Sequence, residues 1–181
     1  MLPQADETSV HWFVLRDLKR RNAKDPAYRM LADAGFEVFT PMTRKLVVCG
    51  GRKLRIEVPF IQDLLFVRDS RKRLDPLILK VPTLQYRFVR GAYMEPMVVP
   101  DLDMDRFLCA LRSSGQPQFF LPEEVRPEMY GRKIRVIGGP LDGYEGHLLS
   151  RRGSRSKRLL VELPQYLTVA VEVSPEMIEL L

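Results

Sequence analysis

The stretch GGPLDGYEGHLL, residues 138–149, holds four of the chain's 11 glycines. It lies between an alternating segment, RKIRVI (132–137), and further short extended segments that continue to the end of the chain. Glycine permits positive φ and removes side chains where backbones approach closely, which a small, sharply bent sheet requires. We therefore predict that residues 128–181 form a compact domain of five short strands, a small barrel without a helix.

Working outward from that stretch, the preceding segment SSGQPQFFLPEEVRP breaks every periodicity and contains three prolines. This pattern is typical of a connection between domains, and we predict a linker over residues 115–127. Residues 8–114 then form a first domain of mixed strands and helices, so the predicted fold class is α+β.

Within that first domain the patterns alternate between strand and helix. Asp25 and Pro26 suit the start of a helix and Gly35 its end, because these residue types favour those positions. Gly50-Gly51 between two alternating segments predicts a hairpin. The remaining predicted elements are strands at 11–16, 36–42, 60–67 and within LQYRFV (84–89), a short helix that begins at Asp75-Pro76, and a helix bearing Met104, Phe107, Leu108 and Leu111 on one face.

The chain of 181 residues carries 29 Lys and Arg against 23 Asp and Glu, a net charge of +6. Residues 1–115 hold 20 of the cations and 14 of the acids, so the whole excess lies in the amino-terminal part. This asymmetry favours an acidic or nucleic-acid partner, although a solvated basic surface has the same composition.

The sequence contains two histidines and two cysteines, Cys49 and Cys109, with no metal-ligand spacing. We expect reduced thiols, no metal, no cofactor and no catalytic site, so that the protein is not an enzyme. No apolar run approaches the roughly 20 residues that a membrane span needs, and the polar start is unlike a leader. The expected location is the cytoplasm, without membrane attachment.

Two motif sets together resemble a known family. GRKIRVIGGPLDGYEGHLLS is similar to a KOW motif, and HWFVLR, FEVFTPMTRK, VPFIQDLLFV, LQYRFVR and EPMVVP follow, in order, the amino-terminal (NGN) domain of the NusG family. The resemblance runs from about residue 10 to residue 181. FTPMTRK with its hairpin, and PFIQDLLFV with Asp63 and Leu64 before Phe66, are closest to the specialised RfaH-like and UpxY-like antiterminators.

This resemblance implies an NGN α/β sandwich domain followed by an SH3-like β-barrel, the KOW domain. It implies a monomeric transcription elongation and antitermination factor whose NGN domain binds the clamp of bacterial RNA polymerase. Its KOW domain would bind a second factor, such as a ribosomal protein or the termination factor Rho. The UpxY-like pattern further implies regulation of surface-polysaccharide operons.

Three sets of candidate site residues follow. For polymerase binding, an exposed apolar patch is expected from Phe39, Pro41, Phe60, Leu64 and Phe66, although ordinary core positions remain an alternative. For contact with DNA or nascent RNA, the candidates are Arg16, Lys19, Arg20, Arg21 and Lys24. For the KOW partner, they are Leu141, Tyr144 and Tyr166, for which barrel-core positions are the alternative.

A second function stays open at this point. KOW motifs also occur in ribosomal proteins, so a KOW-type RNA- or ribosome-binding protein is the alternative to the polymerase factor. An enzyme is the weakest reading, because the glycine-rich stretch lies between two strands and not between a strand and a helix.

Overall fold

The computed structural model describes residues 7–19, 23–150, 153 and 156–181. The chain divides into two compact units, the first ending at Asp101 and the second beginning at Leu102. The first combines helices with strands and the second is rich in strands, so the α+β class is confirmed. The predicted domain limits, 8–114 and 128–181, stay a prediction.

The first unit contains an antiparallel sheet in the order β2-β5-β1-β6, with β7 also paired to β1. Helices α1 and α2 contribute to a core on one sheet face, where Leu31 and Leu74 pack with Leu15 and Val67. A separate two-stranded sheet, β3-β4, forms the hairpin. The elements are β1 (Val10–Asp17), α1 (Ala27–Asp33), β2 (Glu37–Phe39), β3 (Met42–Cys49), β4 (Arg52–Pro59), β5 (Leu64–Ser70), α2 (Arg71–Lys80), β6 (Leu84–Tyr86) and β7 (Val98–Val99).

The second unit contains an antiparallel sheet in the order β13-β9-β10-β11-β12-β8. Its strands are β8 (Gln118–Phe120), β9 (Tyr130–Val136), β10 (Glu145–Leu149), β11 (Arg158–Leu163), β12 (Leu167–Glu172) and β13 (Ile178–Leu180). Helix α3 (Asp101–Ser113) begins at the boundary and buries Met104, Phe107 and Ala110. The five strands predicted after residue 128 are all present, whereas closure into a barrel stays a prediction.

The glycine-rich stretch is the turn between β9 and β10. Gly138 and Gly139 both have positive φ, +80° and +71°, a backbone conformation that residues with a Cβ rarely adopt. The Gly138 backbone N–H donates to the side chain of Asp142, and the Gly143 N–H donates to the Val136 carbonyl at 2.8 Å. The turn thus reverses the chain tightly, which is the role predicted for it.

Two predicted elements differ in the structure. The short helix expected to begin at Asp75-Pro76 begins at Arg71, so Pro76 lies inside α2. Pro76 is the sixth residue of α2 and has no N–H to donate, so one helical hydrogen bond is missing there, and burial of Leu74 holds the extra first turn on the core. The predicted linker 115–127 contains β8, because Phe119 and its neighbours pair with β12.

Candidate interaction surfaces

The patch predicted to bind polymerase is largely buried. Leu64 is 2% exposed, Phe66 is fully buried, and Pro41 is also buried, so the expectation that these three form an exposed surface is wrong. Only Phe39 and Phe60 of the five candidates are half-buried. A partner can touch Leu64 or Phe66 only after the side chains that cover them move.

The burial follows from the position of β5 inside the sheet. It pairs with β1 on one side and β2 on the other, which places Leu65 and Val67 on the face of the helical core. Leu64 and Phe66 point to the opposite face, where the ring of Phe39 stacks on that of Phe66 with centroids 5.8 Å apart. The sequence predicts that β5 is apolar on both faces. It does not predict that other residues of the same chain cover both faces.

Phe60 lies where the hairpin joins the sheet. Its backbone N–H donates to the Pro41 carbonyl at 2.8 Å, closing the base of the β3–β4 hairpin directly before β5 begins. Phe39 comes from the end of β2, two residues before Pro41. The two half-buried rings of the predicted patch therefore flank the segments that enter and leave the hairpin, and we call them the hairpin-root aromatics.

The predicted basic cluster is described only in part, because Arg20 and Arg21 lie outside the described residues. Arg16 is exposed and its Nε donates to Asp63 at 3.2 Å, while Arg87 approaches the same carboxylate at 3.5 Å. The Lys19 ammonium donates to the backbone carbonyl of Asp25 at 2.6 Å, and Lys24 is exposed. The charge of Arg16 is thus partly neutralised by Asp63.

A cleft of about 520 Å³ lies in the first unit beside this cluster. Tyr28 and Arg29 of α1 line it together with Lys19, and Lys45 of the hairpin also contributes. Three cationic side chains and the acidic residues Asp17 and Glu57 therefore border one opening, with one hairpin face forming part of its wall.

The structure adds cations that the sequence analysis did not select. Arg44, Lys45, Arg52, Lys53 and Arg55 all lie on the exposed hairpin. A charge count restricted to residues 42–59 could have found them, because five cations there face a single acid, Glu57. The predicted cluster instead follows from the position of its residues between β1 and α1.

In the second unit, Leu141 is 8% exposed, which fits the core position given as the alternative, and its role in partner binding stays a prediction. It lies in the tight turn after Gly139, where it packs inward. Tyr144 and Tyr166 are half-buried. The Arg106 guanidinium lies 5.9 Å from the ring centroid of Tyr144, and burial followed by the charge of Glu162 raises the pKa of that phenol.

A neighbouring aromatic was missed by the sequence analysis. The Tyr130 hydroxyl donates to Glu162 at 2.6 Å, and this hydrogen bond raises the pKa of Tyr130 to about 12. The Tyr130 ring makes an edge contact with His147 at 5.4 Å between centroids. Pairing of Tyr130 with a glutamate 32 residues away cannot be recognised from local sequence.

Other kinds of site find little support among the described residues. No group of three or more His, Cys, Asp or Glu side chains within that part of the chain is arranged to hold a metal ion. Cys49 and Cys109 are both free. No helix within the described ranges is both long and apolar enough to span a membrane.

The fold and surfaces are those of an α+β unit with a projecting hairpin, followed by a β-rich unit. A family model described as "NusG: Transcription termination factor nusG" matches residues 10–108, more than half of the chain. The chain belongs to the NusG family of transcription factors.

Comparison with solved structures finds a similar chain titled "Domain interaction in Thermotoga maritima NusG". The sequence identity is 14%, the TM-score is 0.46, and the match covers 96% of this chain and 98% of the other. Comparison with curated proteins found no match.

Proposed function

We propose that this protein is a non-catalytic elongation factor that binds bacterial RNA polymerase through its first unit. The observation that carries the proposal is the family match over residues 10–108, which includes every strand and helix from β1 to β7. The proposed action is to hold the polymerase in an elongating state, which favours antitermination over termination.

Since Pro41, Leu64 and Phe66 are buried, they support the surface and do not form it. The hairpin-root aromatics Phe39 and Phe60 keep part of their rings accessible, so they are the anchors that we assign to the polymerase contact. Aromatic side chains contribute large apolar area with few rotatable bonds, which is why they recur as interface hot spots.

The second unit would bind a further factor, as the family resemblance implies for a KOW domain. Tyr144 and Tyr166 remain candidates because each is half-buried, and Tyr130 joins them because it is 37% exposed. A ribosomal protein and Rho are the two partners proposed for this unit. Similarity to the RfaH-like and UpxY-like members supports a role at long surface-polysaccharide operons.

Retention of the purified chain on immobilised core RNA polymerase tests the proposal. We expect Phe60→Glu to weaken retention by about tenfold or more, because an anchor ring that is replaced by a carboxylate loses a contact of about 2 kcal/mol. Phe60→Leu keeps an apolar side chain at the hairpin root and should lose less.

Leu79→Glu is the matched control, because Leu79 is 85% exposed on α2 and carries the same kind of change. It should bind like the unaltered chain, and circular dichroism must show that each variant is folded. Equal retention of Phe60→Glu and the unaltered chain would contradict the assigned anchor. Absence of binding by the unaltered chain, with retention on ribosomes instead, would favour the RNA- or ribosome-binding alternative.

A further inference from the structure

The β3–β4 hairpin leaves its outer edges without a strand partner among the described residues. Met42–Cys49 and Arg52–Pro59 pair with each other, and no other described strand joins their sheet. An edge strand carries a row of backbone N–H and C=O groups that have no partner in the sheet and can pair with an added strand. The hairpin therefore has the backbone geometry to receive a third strand.

The side chains of β4 alternate between cationic and apolar residues. Lys53 and Arg55 lie on one face of the ribbon and Leu54 and Ile56 lie on the other, because successive side chains of a strand point to opposite faces. All four are exposed, Leu54 by 48% and Ile56 by 40%. We call residues 53–56, with their outward backbone groups, the β4 edge.

The cations of the β4 edge lack counter-charges within the described part of the chain. No carboxylate there lies within salt-bridge distance of Lys53 or Arg55, whereas Arg44 of β3 pairs with Glu57 at 3.5 Å. Residues 42–59 hold five Lys and Arg against that single acid, a net charge of +4 out of +6 for the whole chain. The β4 edge thus presents positive charge on one face and aliphatic surface on the other.

A second copy of the chain does not suit this edge. Antiparallel pairing of two β4 edges would bring Lys53 and Arg55 of one copy beside the same cations of the other. Like charges directly opposite each other destabilise a sheet, and charged residues on edge strands commonly prevent such self-association. The strand that fits this edge must therefore carry the opposite charge.

We propose that the β4 edge binds an acidic, extended segment of a partner protein as an added strand. Carboxylates at alternate positions of that segment lie opposite Lys53 and Arg55, and the aliphatic side chains between them cover Leu54 and Ile56. Opposite charges directly across neighbouring strands stabilise a sheet. As in other complexes formed by strand addition, the main chain of the segment supplies affinity and its alternate side chains supply specificity.

A nucleic acid would satisfy only part of the β4 edge. Phosphate oxygens accept hydrogen bonds and attract cations, but they have no N–H groups to donate to the unpaired carbonyls of an edge strand. They give no apolar cover to Leu54 and Ile56, and residues 42–59 contain no Phe, Trp, Tyr or His on which bases could stack. An extended acidic peptide satisfies the charge, the edge hydrogen bonds and the apolar face together.

Fluorescence anisotropy with the full-length chain and a labelled peptide tests this proposal. The probe is an eight-residue peptide of alternating Glu and Val with blocked ends. We expect saturable binding, which Lys53→Gln/Arg55→Gln should weaken about tenfold or more. A peptide of the same composition, with its Glu and Val residues in two blocks, should also bind about tenfold more weakly, because it cannot place charge and apolar groups on opposite faces. Absence of saturable binding to the unaltered chain would overturn the proposal.

Two further variants separate the β4 edge from the net charge of the chain. Lys72→Gln/Lys80→Gln removes the same charge from exposed positions of α2 and should alter affinity less than twofold. Lys53→Glu/Arg55→Glu should lose the acidic peptide and gain a peptide of alternating Lys and Val. Equal losses in the two glutamine pairs would overturn the proposal, because binding would then report net charge alone.

Amide hydrogen exchange tests whether the bound peptide pairs as a strand. Binding should slow exchange at alternate backbone N–H groups of residues 52–57, because alternate residues of an antiparallel edge strand direct their N–H and C=O groups outward. The same Glu-Val peptide with methylated backbone nitrogens should bind about tenfold more weakly. Unchanged exchange in the presence of saturating peptide would contradict strand addition.

A labelled 20-base-pair DNA duplex is the alternative probe. If Lys53→Gln/Arg55→Gln weakens binding to the duplex while the peptide does not bind, the β4 edge is a nucleic-acid surface and the proposal is overturned. Because these assays contain no polymerase, their failure leaves the proposed elongation function standing. Conversely, loss of polymerase binding would leave the peptide result intact.

Discussion

Gly146 is a position where the absence of a side chain decides the packing. A Cβ placed there would lie 2.9 Å from Cε1 of Tyr144, 3.0 Å from Cδ1 of Leu159 and 3.3 Å from the Leu160 carbonyl oxygen. Its backbone has no positive φ, so the constraint is close approach and not conformation. β10 can therefore lie against β11 only because residue 146 is glycine.

Gly146→Ala should destabilise the chain by about 1–3 kcal/mol, since Tyr144 and Leu159 must both move to admit a methyl group. Thermal or urea unfolding measures the change. Gly115→Ala is the control, because a Cβ there meets nothing within 4 Å and φ is not positive. It should stay within about 0.5 kcal/mol of the unaltered chain. Equal stability of the two variants would contradict the packing described here.

At the residue scale, the sequence predicts which strand positions are apolar better than it predicts which of them are exposed to solvent. Phe66 and Leu64 were recognised as apolar positions on one face of a strand, which is correct. Whether a second apolar face is covered by the chain or left for a partner depends on residues distant in sequence. Local periodicity contains no such information, so both residues were assigned to a surface that does not exist in this structure.

Among the elements, α1 shows that the first backbone N–H of a helix can donate to a side chain that lies well before the helix in sequence. The sequence predicts Asp25 as its N-cap, but the helix begins at Ala27, and the Ala27 N–H donates to Asp17 Oδ2 at 2.8 Å. Asp17 is 8% exposed at the end of β1, and it also accepts the Lys19 N–H at 3.0 Å. One carboxylate thus joins the end of a strand to the start of a helix.

Asp17→Ala should destabilise the first unit by about 1–3 kcal/mol, because the buried Ala27 N–H loses its acceptor. Unfolding monitored by circular dichroism gives the value. Asp25→Ala removes the residue that the sequence favoured, and we expect a change below about 0.5 kcal/mol. A larger loss in Asp25→Ala than in Asp17→Ala would show that the local cap dominates.

Elements with strong local signals were predicted well. Gly50 and Gly51 both have positive φ and close the β3–β4 hairpin, as the two-glycine pattern indicates. The start of α2 was missed because Pro76 is usually a first-turn residue, whereas here the burial of Leu74 extends the helix back to Arg71. Tertiary packing outweighed the local preference at that boundary.

At the scale of the whole molecule, the positive charge is more localised than the sequence analysis indicates. The sequence located the positive excess in residues 1–115, and the structure shows that most of it projects on one hairpin. The two-part organisation was predicted from the glycine-rich stretch and the proline-rich segment. The strand β8 could not be, because its pairing with β12 joins residues about 50 apart in sequence.

Transcription through an intrinsic terminator by a bacterial core RNA polymerase tests the central claim most directly. The measured quantity is the fraction of transcripts that pass the terminator as the concentration of the full-length chain rises. An elongation factor of the antiterminating kind should raise that fraction in a saturable manner, and Phe60→Glu should require a higher concentration. A fraction that stays constant or falls at every concentration of the folded chain would contradict the account.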